Sequence, residues 1–301
     1  MKALLSKLPR FTYRLPRRWL LILLFIAAAL IWSAVIAIPE KQLEVSFLDV
    51  GQGDAIYIQT PSRQQILIDG GPDPDKIFVA LGDRLPFWDK SLDLVVLTHP
   101  DEDHIAGLVE VLSRYEVKRV LETGFVQDTP AYQEWLRLID EKNIERTIAR
   151  AGQQIELGDG IIMEVLHPQA EPMDGTESDT NNNSVVIRLV RDDISFLFTG
   201  DMGEEAEREI LYNGGYSLTS TVLKVAHHGS DTSTSPHFLA AINPQLAVIS
   251  AGEDNLFGHP DEDTLARLQE KVDEDKIYLT SEDGTIKITT DGEKLWVEVG
   301  E

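Results

Sequence analysis

Read for hydrophobic and polar period, the chain begins with a stretch that has none. Trp19 to Ile38, WLLILLFIAAALIWSAVIAI, is 20 residues long and carries no charge. At 1.5 Å per helical residue it spans about 30 Å, the hydrocarbon thickness of a bilayer, and it predicts one transmembrane helix. From Leu43 onward the pattern changes to short apolar runs alternating with helical periodicity. Runs at 43–48, 55–58, 65–68, 92–97, 118–121, 161–166, 185–190, 194–198, 222–226, 246–249, 277–279, 285–289 and 295–299 predict strands. Spacing of three and four predicts helices over 105–115, 131–142, 204–212, 236–242 and 263–272. Residues 171–183, EPMDGTESDTNNN, are turn-rich and acidic and are expected to form a surface loop. The class is mixed α/β.

Charge placement adds orientation. Lys2, Lys7, Arg10, Arg14, Arg17 and Arg18 precede the apolar stretch, and the first carboxylate is Glu40. Cations on that side keep the N-terminus in the cytoplasm and send the body across. A cleavable signal ending near Val35-Ile36-Ala37 is one alternative, and a buried core helix is another. The run exceeds the ~7–15 residues of a signal's apolar region, so an uncleaved anchor is expected. The chain then divides into a basic cytoplasmic segment 1–18, an anchor 19–38 in the lipid bilayer and an extracytoplasmic domain 39–301. With 43% hydrophobic and 26% charged residues, that domain is globular. The 27 basic and 51 acidic residues give a net −24, and without the six N-terminal cations the remainder stands at −30. A body so acidic disfavours bulk attraction of a polyanion. The chain has no cysteine, which excludes disulfides, thiolate metal sites and a cysteine nucleophile.

The chemistry-bearing residues gather after predicted strands. His99-Pro-Asp101-Glu-Asp103-His104 follows one strand and opens a helix. Two imidazoles and two alternate carboxylates at a strand's C-terminal end can converge on metal. Helix capping explains one Asp there but not the flanking histidines. Asp201 follows the run FLFTG before a helix, where capping is the competing reading, and His227-His228 follow LKVA. The pentapeptide His-Pro-Asp-Glu-Asp occurs twice, at 99–103 and 259–263, each time between a strand and a helix. This echo suggests a duplicated α/β unit.

The ordered set FLDVGQGD (47–54), LIDGG (67–71), THPDEDH (98–104), NNNSVV (181–186), FTGD (198–201), LKVAHHGS (223–230) and FGHP (257–260) resembles the metallo-β-lactamase superfamily. The similar branch is the one that includes the extracytoplasmic domain of the DNA-uptake protein ComEC, and the likeness runs from about 43 to 299. The resemblance implies an αββα four-layer sandwich with a dinuclear metal site between two sheet edges. Asp101 stands where the superfamily motif usually has its second histidine. NNNS stands where a third is usual, with His167 a strand earlier. On the resemblance, site one is His99, Asp101, bridging Asp201 and one of the paired histidines, His228 in preference. Site two is Asp103, His104, Asp201 and, through the duplication, His259. Asp69 is implied as a buried support for the metal loop. Asp49 and Asp54 are expected to shape a turn beneath it.

Two divalent ions, Zn²⁺ or, given the oxygen-rich set, Mn²⁺, suit such ligands. They could activate water for in-line displacement at phosphorus. Asp103 would then orient the nucleophile and His227 would donate to the developing charge. Lys224 is a candidate for neutralising phosphate or, more simply, a solvent-facing lysine. The expected function is a phosphodiesterase or nuclease, with single-stranded DNA as the substrate the resemblance suggests. A small or cell-wall phosphodiester is the alternative substrate. β-Lactam hydrolysis is disfavoured by Asp101 and the missing histidine. A metal-stabilised binding module is the non-enzymatic alternative.

Overall fold

The computed structural model describes residues 17–37, 42–253 and 255–300. The chain separates into two compact units, Met1–Pro39 and Glu40–Glu301. In the first unit one helix runs Arg17–Ala37, and its side chains from Leu21 to Trp32 are exposed. Among the described residues no helix is long and apolar enough to cross a membrane. The spanning helix expected over 19–38 is therefore not supported by the fold. Ile38 and residues 1–16 of the expected cytoplasmic segment lie outside the described residues.

In the second unit, two sheets face each other. The first has eight strands in the order Leu295–Val299, Ile286–Thr290, Leu43–Phe47, Ile56–Gln59, Gln65–Ile68, Leu94–Leu97, Arg119–Glu122 and Glu145–Ile148. The second has seven, ordered Ile277–Leu279, Leu246–Ile249, Val222–Lys224, Ile194–Phe198, Val186–Arg191, Ile161–His167 and Gln154–Glu156. Alternation along the strands sorts the apolar side chains between two faces. Ile66, Ile68 and Val96 point into the layer between the sheets, where they meet Met163, Val165, Phe196 and Val248. Leu67, Val95 and Leu97 point out and are covered by the helices Pro74–Arg84, Glu102–Arg114 and Pro130–Lys142. Helices Pro236–Ile242 and Glu262–Gln269 cover the other sheet's outer face in the same way. Strands covered on both faces read as unbroken apolar runs rather than alternating ones, as at Leu94–Leu97 and Leu246–Ile249. The architecture is αββα.

Each sheet ends in four parallel strands: 65–68, 94–97, 119–122 and 145–148 in one, and 194–198, 222–224, 246–249 and 277–279 in the other. By position in this series Leu94–Leu97 corresponds to Val222–Lys224, not to Leu246–Ile249. The two His-Pro-Asp-Glu-Asp copies therefore follow strands of unequal rank. The duplication argument that equated His259 with His99 does not hold at this level.

Some elements escaped the sequence pattern. The helix Pro74–Arg84 hides in the contiguous run IFVAL, although Asp73 caps it by accepting from Asp75 N at 2.9 Å and Pro74 starts it. Strands Glu145–Ile148 and Gln154–Glu156 lie at sheet edges and are mostly exposed, so they show no apolar alternation. The expected surface loop 171–183 ends in a short helix, Asp179–Asn182, and buries Asn182 and Asn183. There Gly203 N donates to Asn182 Oδ1 at 3.1 Å, and Asn183 Nδ2 donates to the carbonyls of Met173 and Asp179.

Candidate metal centre

Three strand ends supply the site: Leu94–Leu97, Ile194–Phe198 and Val222–Lys224. After the first, Asp101 occupies the N-cap position of Glu102–Arg114, yet its side chain makes no capping bond. Asp201 is not the cap of its helix either, since that position belongs to Gly203. Capping therefore accounts for neither carboxylate. After Val222–Lys224 the chain turns sharply, with His227 and His228 at φ of 48° and 54°. Left-handed backbone at two consecutive histidines sends their rings apart, with planes at 66° and centroids 6.1 Å apart. His228 goes inward and is buried, whereas His227 stays partly exposed.

Hydrogen bonds to Nδ1 fix which ring nitrogen remains. His104 Nδ1 donates to Asp69 Oδ2 at 2.9 Å, and His228 Nδ1 donates to the Ser250 carbonyl at 2.9 Å. Thr98 Oγ1 gives its proton to Asp69 at 2.6 Å and so accepts from His99 Nδ1 at 3.1 Å. Nε2 of His99, His104 and His228 are then all buried without a hydrogen-bond partner, as is Asp201 Oδ1. Buried polar atoms are rarely left so, and three imidazoles held through Nδ1 present ligating atoms to one space. Four ligand atoms, from Asp103, His104, Asp201 and His228, lie within 4.8 Å of one another. His104 Nε2 is 3.3 Å and His228 Nε2 3.2 Å from Asp201 Oδ2. His228 Nε2 is also 3.2 Å from Asp103 Oδ2. Beside this set, His99 Nε2 stands 3.7 Å from Asp101 Oδ2 and 4.0 Å from Asp201 Oδ2. His227 Nε2 is 3.9 Å from Asp201 Oδ2. These residues could hold divalent metal, with Asp201 common to both groups.

The electrostatics fit a cation. Burial lowers the proton affinity of His104 and His228, but Asp201 and Asp103 more than reverse it, and both lie well above free imidazole. Asp201 and Asp103 are held below the usual carboxylate range: burial opposes this, and the imidazoles outweigh it. His99, buried and repelled by His104, is pushed down to about 3. Asp101 is raised, chiefly by burial, while Gln127 Nε2 donates to its Oδ1 at 2.8 Å.

Under the ligands lies a buried pair. Lys224 is fully buried rather than solvent-facing, ion-paired with Asp54, donating to the Gly200 carbonyl at 3.2 Å and 3.7 Å from Asp201 Oδ1. Burial works against its charge, and Asp54 and Asp201 restore it. Asp49 makes the expected turn, accepting from Gly51 N at 3.1 Å, but Asp54 does not share that task. Its Oδ1 lies 3.5 Å from His228 Nδ1. Asp54, Asp69 and His104 also cluster, but Lys224, Thr98 and His104 already use these carboxylates. They act as the floor of the site.

Placement differs from expectation at two histidines. His228, expected with His99 and Asp101, stands with Asp103, His104 and Asp201. His259, expected in that second group, is not among the four clustered residues. Its Nδ1 is 3.1 Å from Asp261 Oδ2, and its ring lies between those of His227 and Phe257. It borders the same cavity, about 190 Å³, as Asp103, Asp201 and His228. His167 does not join this set: its Nδ1 is bonded to the Ser184 carbonyl and its Nε2 to Glu209, each at 3.0 Å. Asp54 and Lys224 are the residues that sequence reasoning undervalued. The available signal was a lysine inside the apolar run VLKVA.

A family model described as the metallo-beta-lactamase superfamily matches residues 48–253. The ComE operon protein 3 of Bacillus subtilis is 33% identical over 261 residues, covering 81% of this chain and 32% of that protein. The competence protein ComA of Neisseria gonorrhoeae is 30% identical over 271 residues, covering 89% of this chain and 35% of its own length. The chain thus spans about a third of these curated relatives. Among solved structures, the metallo hydrolase Igni18 of Ignicoccus hospitalis superposes with a TM-score of 0.52 at 16% identity, covering 82% of this chain and 98% of its own.

Proposed function

Because the chain belongs to the metallo-β-lactamase superfamily, with competence proteins among its relatives, we propose that it is a metal-dependent phosphodiesterase. The observation that carries this reading is the set of unpartnered Nε2 atoms on His99, His104 and His228 around the carboxylate of Asp201. The proposed ligands are His99, Asp101 and Asp201 on one side, and Asp103, His104, His228 and the same Asp201 on the other. Zn²⁺ and Mn²⁺ both suit this mixed nitrogen and oxygen set. When bound, two such ions supply charge that polarises a phosphoryl group and acidifies water. Asp103, with its side chain about a third exposed, orients the attacking water. His227, on the open side of the cavity, donates to the leaving oxygen. Lys224 and Asp54 keep Asp201 in place from below and exclude water from its inner face.

Single-stranded DNA is the first substrate to test, on the strength of the competence relatives. A small phosphodiester is the second reading, favoured by the acidic wall of the adjoining cavity of about 470 Å³, which includes Glu177, Glu204, Glu205 and Asp231. Metal-dependent hydrolysis of bis(p-nitrophenyl) phosphate tests the enzyme reading, and absence of turnover with every divalent ion tried would refute it. Degradation of end-labelled single-stranded DNA separates the two substrate readings. We also propose that residues 19–38 hold the body at the outer face of a membrane with the N-terminus in the cytoplasm. Support comes from the sequence alone, the uncharged run and the six preceding cations. Carbonate-resistant membrane sedimentation of the full chain, with the catalytic body digestible from outside, is the expected result.

A further inference from the structure

Resting on the phosphodiesterase reading, we propose that Phe257 is a stacking platform for a nucleobase. The substrate class is then a nucleotide phosphodiester rather than a sugar-phosphate polymer. Phe257 is 70% exposed, and Leu256 beside it is fully exposed. Yet Phe257 borders the same small cavity as Asp103, Asp201 and His228. At about 190 Å³ that cavity is below the ~300–1,000 Å³ of a typical small-molecule pocket. It can accept a phosphoryl group, and whatever the phosphoryl group carries must lie along the rim. Phe257 is on that rim.

Four rings run from the ligand cluster to this point. His228 meets His227 at a centroid distance of 6.1 Å, His227 meets His259 at 5.8 Å, and His259 meets Phe257 at 5.9 Å. The first two contacts are edge-on, at 66° and 61°, whereas the last is nearly parallel, at 12°. His259 thus lies nearly parallel beside Phe257, whose ring remains largely open to solvent. The support is braced. Asn255 Nδ2 donates to the carbonyls of Gly252 and His259, and His259 N donates to Asn255 Oδ1 at 2.9 Å. His259 Nδ1 is bonded to Asp261. A solvent-facing aromatic ring on the rim of the cavity suits a π-face and recognises bases without reading their edges. Asn181 Oδ1, buried without a partner, borders the same cavity and offers one acceptor to the bound ligand. Stacking on one ring needs no extended phosphate contact, so it is compatible with the acidic body where a long polyanion track is not.

The test uses the full, metal-loaded chain and two esters differing only in the non-leaving group: thymidine 5′-(p-nitrophenyl phosphate) and methyl p-nitrophenyl phosphate. Phe257→Ala should lower the ratio of kcat/KM, nucleoside over methyl, by roughly tenfold, mainly through KM, and Phe257→Trp should restore it. Calorimetric binding of a dithymidine phosphorothioate should weaken by a similar factor in Phe257→Ala. Equal losses on both esters would make Phe257 merely structural and overturn the proposal, as would an unchanged ratio. A glycerol phosphodiester that loses as much as the nucleoside ester would overturn it in favour of a sugar-phosphate substrate. If no diester is turned over but phosphorothioate binding still depends on Phe257, the phosphodiesterase reading falls and the platform stands. If binding ignores Phe257, the platform falls whatever the turnover.

Discussion

Asp101 and Asp261 share a pentapeptide, a helix N-cap position, extended backbone and the lack of a side-chain capping bond. Their surroundings have little else in common. Asp101 faces His99 and the ligand cluster, while Asp261 Oδ2 takes His259 Nδ1 and the Asp231 amide at 3.0 Å. The divergence is set by the residues just after each copy. His104 follows the first and reaches Asp69 and Asp201; Thr264 follows the second and donates to the Ser230 carbonyl at 3.0 Å. Three residues on, Gly107 lets its helix lie directly on Gly70, where an added Cβ would come 2.0 Å from the Gly70 oxygen. Its counterpart Arg267 instead reaches to the Ser233 carbonyl. One copy supplies ligand atoms. The other props the turn that carries His227 and His228, with Asp261 N bonded to the Gly229 carbonyl and Pro260 packed against Gly229. Identical sequence at a strand-to-helix junction specifies the junction, and its neighbours decide the chemistry.

The sharpest break between the copies should come from matched alanines. Asp103→Ala is expected to cost more than about a hundredfold in turnover and to lower bound metal, since even outer-shell changes reach 10–100-fold. Asp263→Ala, at an exposed position, should stay within about twofold. Metal analysis beside rates checks both, and equal effects would erase the distinction. Next in size, Gly107→Ala should destabilise the fold by roughly 1–3 kcal/mol through overpacking against Gly70, read as a lower denaturant midpoint. Arg267→Ala should cost about 1 kcal/mol, the worth of its lost hydrogen bonds. Thr264→Val tests the propping role: metal affinity should fall by about tenfold through the loosened His227–Ser230 turn, with helix content unchanged by circular dichroism. The smallest effect is expected from His259→Ala, which should keep its full metal stoichiometry. Loss of one equivalent there would put His259 back among the ligands.

The proposed ligands near one another in sequence were legible because a single junction presents them. His99, Asp101, Asp103 and His104 lie within six residues, and their alternation has no economical explanation in a helix cap. What could not be read was pairing across the chain. Asp54, from the turn between Leu43–Phe47 and Ile56–Gln59, meets Lys224 of the second sheet under the site, and neither sequence neighbourhood hints at the other. The assignment of His228 and His259 turned on backbone handedness at 227–228 and on strand rank, two properties that residue type leaves open. Asn182 and Asn183 were hidden differently. A polar tract reads as solvated, yet these amides are buried because backbone groups around Met173, Asp179 and Gly203 satisfy them. The edge strand Glu145–Ile148 shows the converse, backbone pairing with no apolar signature.

The register of the first sheet has a consequence for when the site comes into being. Leu43 lies opposite Thr290 and Phe47 opposite Ile286, so this strand is paired on one side by a strand that follows it by more than 200 residues. Contacts this distant in sequence close slowly and late. As the chain emerges in order, Leu43–Phe47 waits with an open edge until residue 290 is available, and Lys224 must already have met Asp54 for the floor to close. The strand leading into the turn that carries Asp54 is thus completed on its outer side by a far-downstream segment, and the floor of the candidate site depends on long-range pairing.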